Sequence, residues 1–186
     1  RMACFNGKFN VVRELLALRG DRYVDVHAKH GAALQVACEQ GHLDVVRELL
    51  ALDNDRTVDV HAGNEAAFRA AALLSQVGVM QVLLNLSGGR LVDVHALSEA
   101  AFINCCASGC VEGVALLLQL DGTRRVDVHA DDDAGFRAAC MGGHRDVVRL
   151  LLAQTGGRQL THVAGAHADD EAALQGPCSD TTPGYA

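Results

Sequence analysis

The tetrapeptide Asp-Val-His-Ala occupies residues 25–28 and recurs at residues 59–62, 93–96 and 127–130, so each copy begins 34 residues after the previous one. One arginine column keeps the same spacing, at Arg22, Arg56, Arg90, Arg124 and Arg158. A period of this length that never slips is typical of repeat proteins, in which each unit buries its apolar face against its neighbours. The chain is therefore predicted to be an array of similar units.

The same spacing gives the unit boundaries. We predict a repeat array over residues 1–160, made of a partial unit and four full units at 1–24, 25–58, 59–92, 93–126 and 127–160. Beyond it we expect a degenerate partial repeat at residues 161–175 and a disordered tail at residues 176–186, where Gly176 and Pro177 disfavour helix.

Each unit contains two stretches with helical periodicity. In the second, residues 43–52 carry apolar pairs separated by charged residues, a pattern that predicts one buried helix face. The first, at residues 32–38, is rich in small residues. About a dozen residues join one pair to the next, enough for an ordered arm. We predict an all-α fold, a solenoid of helix pairs with extended hairpin-like loops.

Two motifs resemble a known family. The segment Gly41-His42-Leu43-Asp44-Val45-Val46-Arg47-Glu48-Leu49-Leu50, echoed at residues 143–152, resembles the second-helix signature of ankyrin repeats, and Asp-Val-His-Ala is similar to their Asp-Val-Asn-Ala. The family's Thr-Pro-Leu-His is replaced, for example by Ala32-Ala33-Leu34-Gln35. Tetratricopeptide repeats share the 34-residue period, but their Trp, Gly-Tyr and Pro positions are absent. The resemblance covers residues 3–160 and implies a divergent ankyrin-like array that binds proteins.

Charge and composition narrow the function classes. The 186 residues carry 16 Lys plus Arg against 23 Asp plus Glu, a formal net charge of −7 without a basic cluster, so we expect no nucleic-acid partner. The sequence has no apolar run of membrane-spanning length and no signal-peptide pattern. We expect a monomeric, intracellular and cytoplasmic protein without a membrane partner. Motifs for phosphate binding or nucleophilic catalysis are missing, so we expect no enzyme activity and no cofactor.

Cysteine and histidine raise the alternative of a metal site. Cys105, Cys106 and Cys110 lie close in sequence, but the column Cys4, Cys38, Cys106 and Cys140 fits small buried side chains better. The histidines of the four tetrapeptides form a ladder whose neighbouring rungs lie too far apart to share a zinc ion, since packed helices are about 8–10 Å apart. We expect no metal, and we expect the ladder to hold the loops while His42 and His144 bond to backbone near the helix turns.

Arginine precedes each tetrapeptide by three residues, as in Arg56 and Asp59. This spacing suggests either a rail of anion-binding arginines or an ion pair within each loop. Because every arginine has its own carboxylate nearby, we expect the ion pair.

Binding is predicted at positions that vary between otherwise similar units, which the resemblance places on the concave face and loop tips. The candidate partner-binding residues are Lys29, His30, Glu39, Asn64, Arg69, Leu73, Leu74, Leu97, Ser98, Asn104, Asp131, Asp132 and Met141. We predict a non-catalytic protein-interaction scaffold with a protein partner. The alternative is a substrate-recruiting fragment of a larger enzyme or regulator whose active domain lies outside this chain.

Overall fold

A computed structural model describes residues 1–154, apart from the side chain of His30. The helices within this range are α1 Met2–Phe5, α2 Phe9–Ala17, α3 Ala28–Glu39, α4 Leu43–Leu50, α5 Ala62–Leu73, α6 Val77–Leu84, α7 Ala96–Ala107, α8 Val111–Leu118, α9 Ala130–Met141 and α10 Arg145–Gln154. They pair in sequence order, which confirms the all-α helix-pair array. The expectations for residues 161–175 and 176–186 lie outside the described residues.

A tight turn joins the two helices of each pair. After α3, the N–H of Gly41 donates to the Cys38 carbonyl and the N–H of His42 donates to the Ala37 carbonyl, the hydrogen-bond pattern of a Schellman cap. Gly41 has a φ of +70°, a left-handed conformation that glycine adopts without a Cβ clash. The turn reverses the chain, so the second helix packs back against the first.

The core runs through the array as two columns of apolar side chains. In the first helices the column contains Leu34, Phe68 and Phe102, each no more than 1% exposed. The second helices contribute residues such as Val45 and Leu83, equally buried. One large buried residue per first helix, with buried alanine and cysteine beside it, lets neighbouring first helices approach closely.

This close packing is unequal on the two sides of the array. The first helices α3, α5, α7 and α9 make more extensive contact with one another than the second helices α4, α6, α8 and α10 do. A stack that is tighter on one side curves toward that side, so we infer that the first helices line the inner, concave surface. Among the described residues, no helix is long and apolar enough to cross a membrane.

The connection between pairs takes a form that the sequence did not specify. A single 3₁₀ turn follows each of the helices α2, α4, α6 and α8, at Gly20–Arg22, Asn54–Arg56, Gly88–Arg90 and Gly122–Arg124. The next residues are extended, with Val58 and Val60 buried and Asp59 exposed between them. This alternation matches the predicted arm, but no strand pairing accompanies it within residues 1–154.

The tip of the connection is a left-handed turn. Gly63, Asn64 and Glu65 all have positive φ, and so do residues 97–99 and 131–133. Left-handed conformation costs roughly 1–2 kcal/mol per residue with a Cβ, so other contacts must hold these tips. Arg69 supplies two of them, because its guanidinium donates to the carbonyls of Asn64 at 2.8 Å and Gly63 at 2.9 Å. The right-handed helix then starts at Ala66, which lies one 34-residue period after Ala32, the start of the helix predicted in the preceding unit.

Candidate interaction surface

Each tetrapeptide orders its own loop. The Asp59 carboxylate accepts a hydrogen bond from the N–H of His61 at 2.9 Å, and Asp25, Asp93 and Asp127 make the same bond two residues on. Such a turn satisfies a backbone donor locally and fixes where the tip begins. The aspartate of the motif therefore has a structural task in every unit.

The histidine of the tetrapeptide ties one unit to the next. His61 Nε2 donates to the Gly89 carbonyl at 3.0 Å, and His95 Nε2 donates to the Thr123 carbonyl at 2.8 Å. His27 reaches the Asp55 carbonyl in the same way. The predicted loop-holding role of the histidine ladder is confirmed in these three units.

Glu65 and Glu99 complete this link. The carboxylate of Glu65 accepts from His61 Nδ1 at 2.5 Å and from the backbone N–H of Asp93 at 3.2 Å. Glu99 repeats both bonds one unit later. Both ring nitrogens of His61 thus face acceptors, a situation that only the imidazolium satisfies completely. Hydrogen bonding to Glu65, followed by that to Gly89, raises the pKa of His61 above its ordinary value of 6.5.

The expected ion pair between arginine and aspartate is wrong. Arg56 is 8% exposed, and its Nη1 donates at 2.7 Å to the carbonyl of Leu16, near the end of the second helix of the preceding pair. Arg90 and Arg124 reach the carbonyls of Leu50 and Leu84 in the same way. Unpaired carbonyls and the helix dipole make this end of a helix attractive to a cation. The arginine column therefore joins successive units, while the aspartates turn the loops.

Two further expectations concern histidine and cysteine. His42 and His144 bond to backbone, as predicted, since their Nε2 atoms donate to the carbonyls of Phe5 and Ala107. In the cysteine column, burial raises the pKa of Cys38 to about 12, and the pKa values of Cys4 and Cys106 are raised too. Cys140 departs from this prediction and is exposed, because within residues 1–154 no further first helix follows α9 to cover it.

The three cysteines considered as metal ligands lie in the core of the described part of the chain. Cys105, Cys106 and Cys110 are all buried, and burial raises the pKa of Cys105, which disfavours the thiolate that binds metal. Within residues 1–154, no three His, Cys, Asp or Glu side chains are grouped so that they could hold a metal ion.

Ten of the thirteen predicted binding residues fall into two separate rows. At the loop tips lie Lys29, Asn64, Leu97, Ser98, Asp131 and Asp132, all exposed and all in left-handed conformation. At the opposite end of the first helices lie Glu39, Leu73, Leu74 and Met141. A helix of eight residues, about 12 Å long, separates the rows. Leu97 therefore does not extend the apolar patch of Leu73 and Leu74. The side chain of His30 lies outside the described residues.

The helix-end row is partly apolar. Leu73 is 49% exposed, Leu74 47% and Met141 89%. Phe5, which sequence reasoning missed, is 43% exposed and precedes Glu39 by one 34-residue period. The repeat spacing alone would have placed Phe5 in this row.

Three of the predicted residues are occupied with contacts inside the array. The guanidinium of Arg69 holds the tip carbonyls, and its own carbonyl accepts a hydrogen bond from the Asn104 side chain at 3.1 Å. Glu39 accepts one from Gln35 at 3.0 Å. Glu65 and Glu99 were not among the predicted binding residues, although their recurrence at 34 residues was visible in the sequence.

Comparison with known proteins gives the family. A family model described as ankyrin repeats in three copies matches residues 1–95, which is about half of the chain. The chain belongs to the ankyrin-repeat family. Neither the curated proteins nor the solved structures yielded a match to this ankyrin-repeat chain. Beyond residue 95 the array continues with the same period, and α7 to α10 repeat the helix pairs of the matched segment.

Proposed function

We propose that this chain is a non-catalytic interaction scaffold that binds a protein partner across its concave face and loop tips. Ankyrin repeats generally mediate protein–protein interaction, and the family is generally non-enzymatic. The observation that carries the proposal for this chain is the exposed pair Leu73 and Leu74, about half accessible on the inner helices. Adjacent exposed leucines in a row with Phe5 and Met141 form the kind of apolar surface that marks interfaces.

Residues such as Leu73 and Leu74 are not needed to hold the array together, so they can be used to bind a partner. Packing, loop order and inter-unit links use the repeated positions, such as Phe68, His61 and Arg90. Leu73 and Leu74 occupy positions that hold Glu39 and Gln40 in one neighbouring unit and Ala107 and Ser108 in the other. The surface can therefore vary without cost to the scaffold.

Affinity capture from the source cell, followed by mass spectrometry, tests this proposal. The bait with Leu73→Glu and Leu74→Glu is compared with the native chain and with a matched control carrying Val11→Glu and Leu15→Glu. The control residues are also exposed but lie on α2, a second helix. Proteins lost from the first variant and kept by the control support the proposal. Identical protein lists for all three baits would refute it, provided circular dichroism shows equal helix content.

A further inference from the structure

The loop-tip edge of the array is strongly acidic over three consecutive units. The segments 59–68, 92–102 and 126–136 contain no Lys or Arg. They carry eight carboxylates, at Asp59, Glu65, Asp93, Glu99, Asp127, Asp131, Asp132 and Asp133, against three imidazoles, at His61, His95 and His129. Of the arginines next to these segments, Arg69 and Arg137 bind tip carbonyls, and Arg125 directly precedes the third segment. The first unit differs, because Lys29 balances Asp25 there.

A cavity of about 450 Å³ lies between two of these tips. Its wall includes His61, Asn64, Glu65, Asp93, His95 and Leu97. Glu65 is 3% exposed, and while its Oε1 accepts two hydrogen bonds, its Oε2 has no partner among the described residues. A buried carboxylate oxygen without a donor is costly and favours a cationic or hydrogen-bonding ligand. Leu97, 55% exposed, adds an apolar wall for an aliphatic stem.

The next gap along the edge repeats the acidic half of this site. One period on, Glu99 is 4% exposed with an unpartnered Oε2, and Asp127 and Asp131 take the places of Asp93 and Leu97. The gap one period earlier has lost both features, since Gly31 replaces the glutamate and Gly63 replaces the leucine. Within residues 1–154 there are therefore two acidic gaps and one gap that lacks both the glutamate and the leucine.

We propose that this edge binds an extended basic segment of the partner protein, with Lys or Arg at every third residue entering successive gaps. The spacing follows from geometry: packed helices of neighbouring units lie about 8–10 Å apart. In a polyproline II segment, which has three residues per turn and rises about 3.1 Å per residue, side chains at i and i+3 point the same way and lie about 9 Å apart. Lys stems would pack on Leu97 while their ammonium groups meet Glu65 and Asp93.

This inference rests on the proposed function, because it identifies the chemistry of the segment that reaches the loop tips. It is nevertheless separable from the apolar row at Leu73 and Leu74, which lies at the other end of the first helices. Either surface can fail without the other.

Fluorescence anisotropy with synthetic peptides tests the proposal. The probe is labelled (Lys-Pro-Pro)₄, and the comparison peptide (Lys-Lys-Pro-Pro-Pro-Pro)₂ has the same composition and charge with a different lysine spacing. The native chain should bind the first more tightly, and binding should weaken as salt is added. The variant Glu65→Gln with Glu99→Gln should bind about tenfold to twenty-fivefold more weakly, since each lost carboxylate weakens binding by roughly threefold to fivefold.

Two further variants keep the result interpretable. Asp131→Asn with Asp132→Asn removes two exposed charges whose side chains are not needed for the turn, and asparagine tolerates the left-handed backbone. This variant should stay folded and bind the peptide more weakly than the native chain. The matched control, Glu14→Gln with Glu112→Gln, removes two exposed charges on second helices and should bind like the native chain.

Equal affinity for the two lysine spacings would overturn the proposal, as would equal weakening by the control variant. Self-association that disappears with Glu65→Gln and Glu99→Gln would assign the edge to a second copy and overturn it too. If the peptide fails to bind while capture through Leu73 and Leu74 succeeds, only this inference falls and the proposed function stands.

Discussion

Leu83→Ala tests the packing register most directly. Leu83 lies on α6 and is 1% exposed, within a buried group that includes Val79, Met80 and Leu84. The helix contacts α4 on one side, α8 on the other and α5 beneath it. The substitution removes three carbon atoms from a site that is closed on every side.

The expected loss of unfolding free energy follows from that burial. Three methylene equivalents at about 0.8 kcal/mol each give about 2.4 kcal/mol of lost transfer free energy. The neighbouring helices are held by their own links and can close the space only partly, so a cavity term adds to this. We expect a total of about 3 kcal/mol, inside the range of about 2–5 kcal/mol for buried Leu→Ala substitutions.

Urea titration followed by far-ultraviolet circular dichroism measures this quantity. The matched control is Leu73→Ala on α5, because Leu73 is 49% exposed and should cost less than about 1 kcal/mol. The slope of free energy against urea should stay unchanged if the array still unfolds as one unit. A loss below about 0.5 kcal/mol for Leu83→Ala, or an equal loss for Leu73→Ala, would refute the packing described here.

Three other predictions address the links, the turns and the thiols. Bonds to carboxylate and carbonyl acceptors raise the pKa of His61 and His95 in the folded chain above 6.5. The stability that these histidines add is therefore complete below pH 6.5 and is lost as the pH rises through the folded pKa. The melting temperature should fall as the pH is raised from about 6 to about 8, and a melting temperature that does not change would contradict the assignment. Gly109→Ala should destabilise the array by more than about 1 kcal/mol, because Gly109 has a φ of +71° and the added Cβ would collide with the ring of His144 in the next unit. Gly20→Ala is the control: its φ is +62° but the space around it is open, so it should cost only the backbone strain of about 1 kcal/mol. Chemical denaturation that ranks the two variants the other way would be inconsistent with the turn. Cys38 should resist alkylation in the folded chain, because it is fully buried with its pKa raised to about 12, and rapid labelling followed by mass spectrometry would show that the site opens.

Some properties of the predicted binding residues are visible in the repeats, and others depend on contacts that form only in the folded array. Comparing units within one sequence separates Leu73 and Leu74 from the invariant positions. It does not reveal that Arg69 and Asn104 are held by internal hydrogen bonds, because those bonds join residues brought together only when the loop tip folds back and first helices stack. Nor does the sequence reveal that one helix length separates Leu97 from Leu73 and Leu74.

The sequence by itself determined the period, the helix pairs and the family, because the 34-residue repeat and the apolar periodicity are local patterns that recur in every unit. It also indicated the roles of His61 and His42, since each could be judged by its position beside a turn. The partner of Arg56 could not be found this way. Its acceptor, the Leu16 carbonyl, lies 40 residues earlier in the chain, while Asp59 lies only three residues away. Only stacking brings a loop arginine to the end of a helix in the preceding pair, where unpaired carbonyls and the helix dipole attract it more than an exposed carboxylate does. Tertiary structure likewise decided that Glu65 and Glu99 are buried between units, because their surroundings are supplied by the tip of the next repeat.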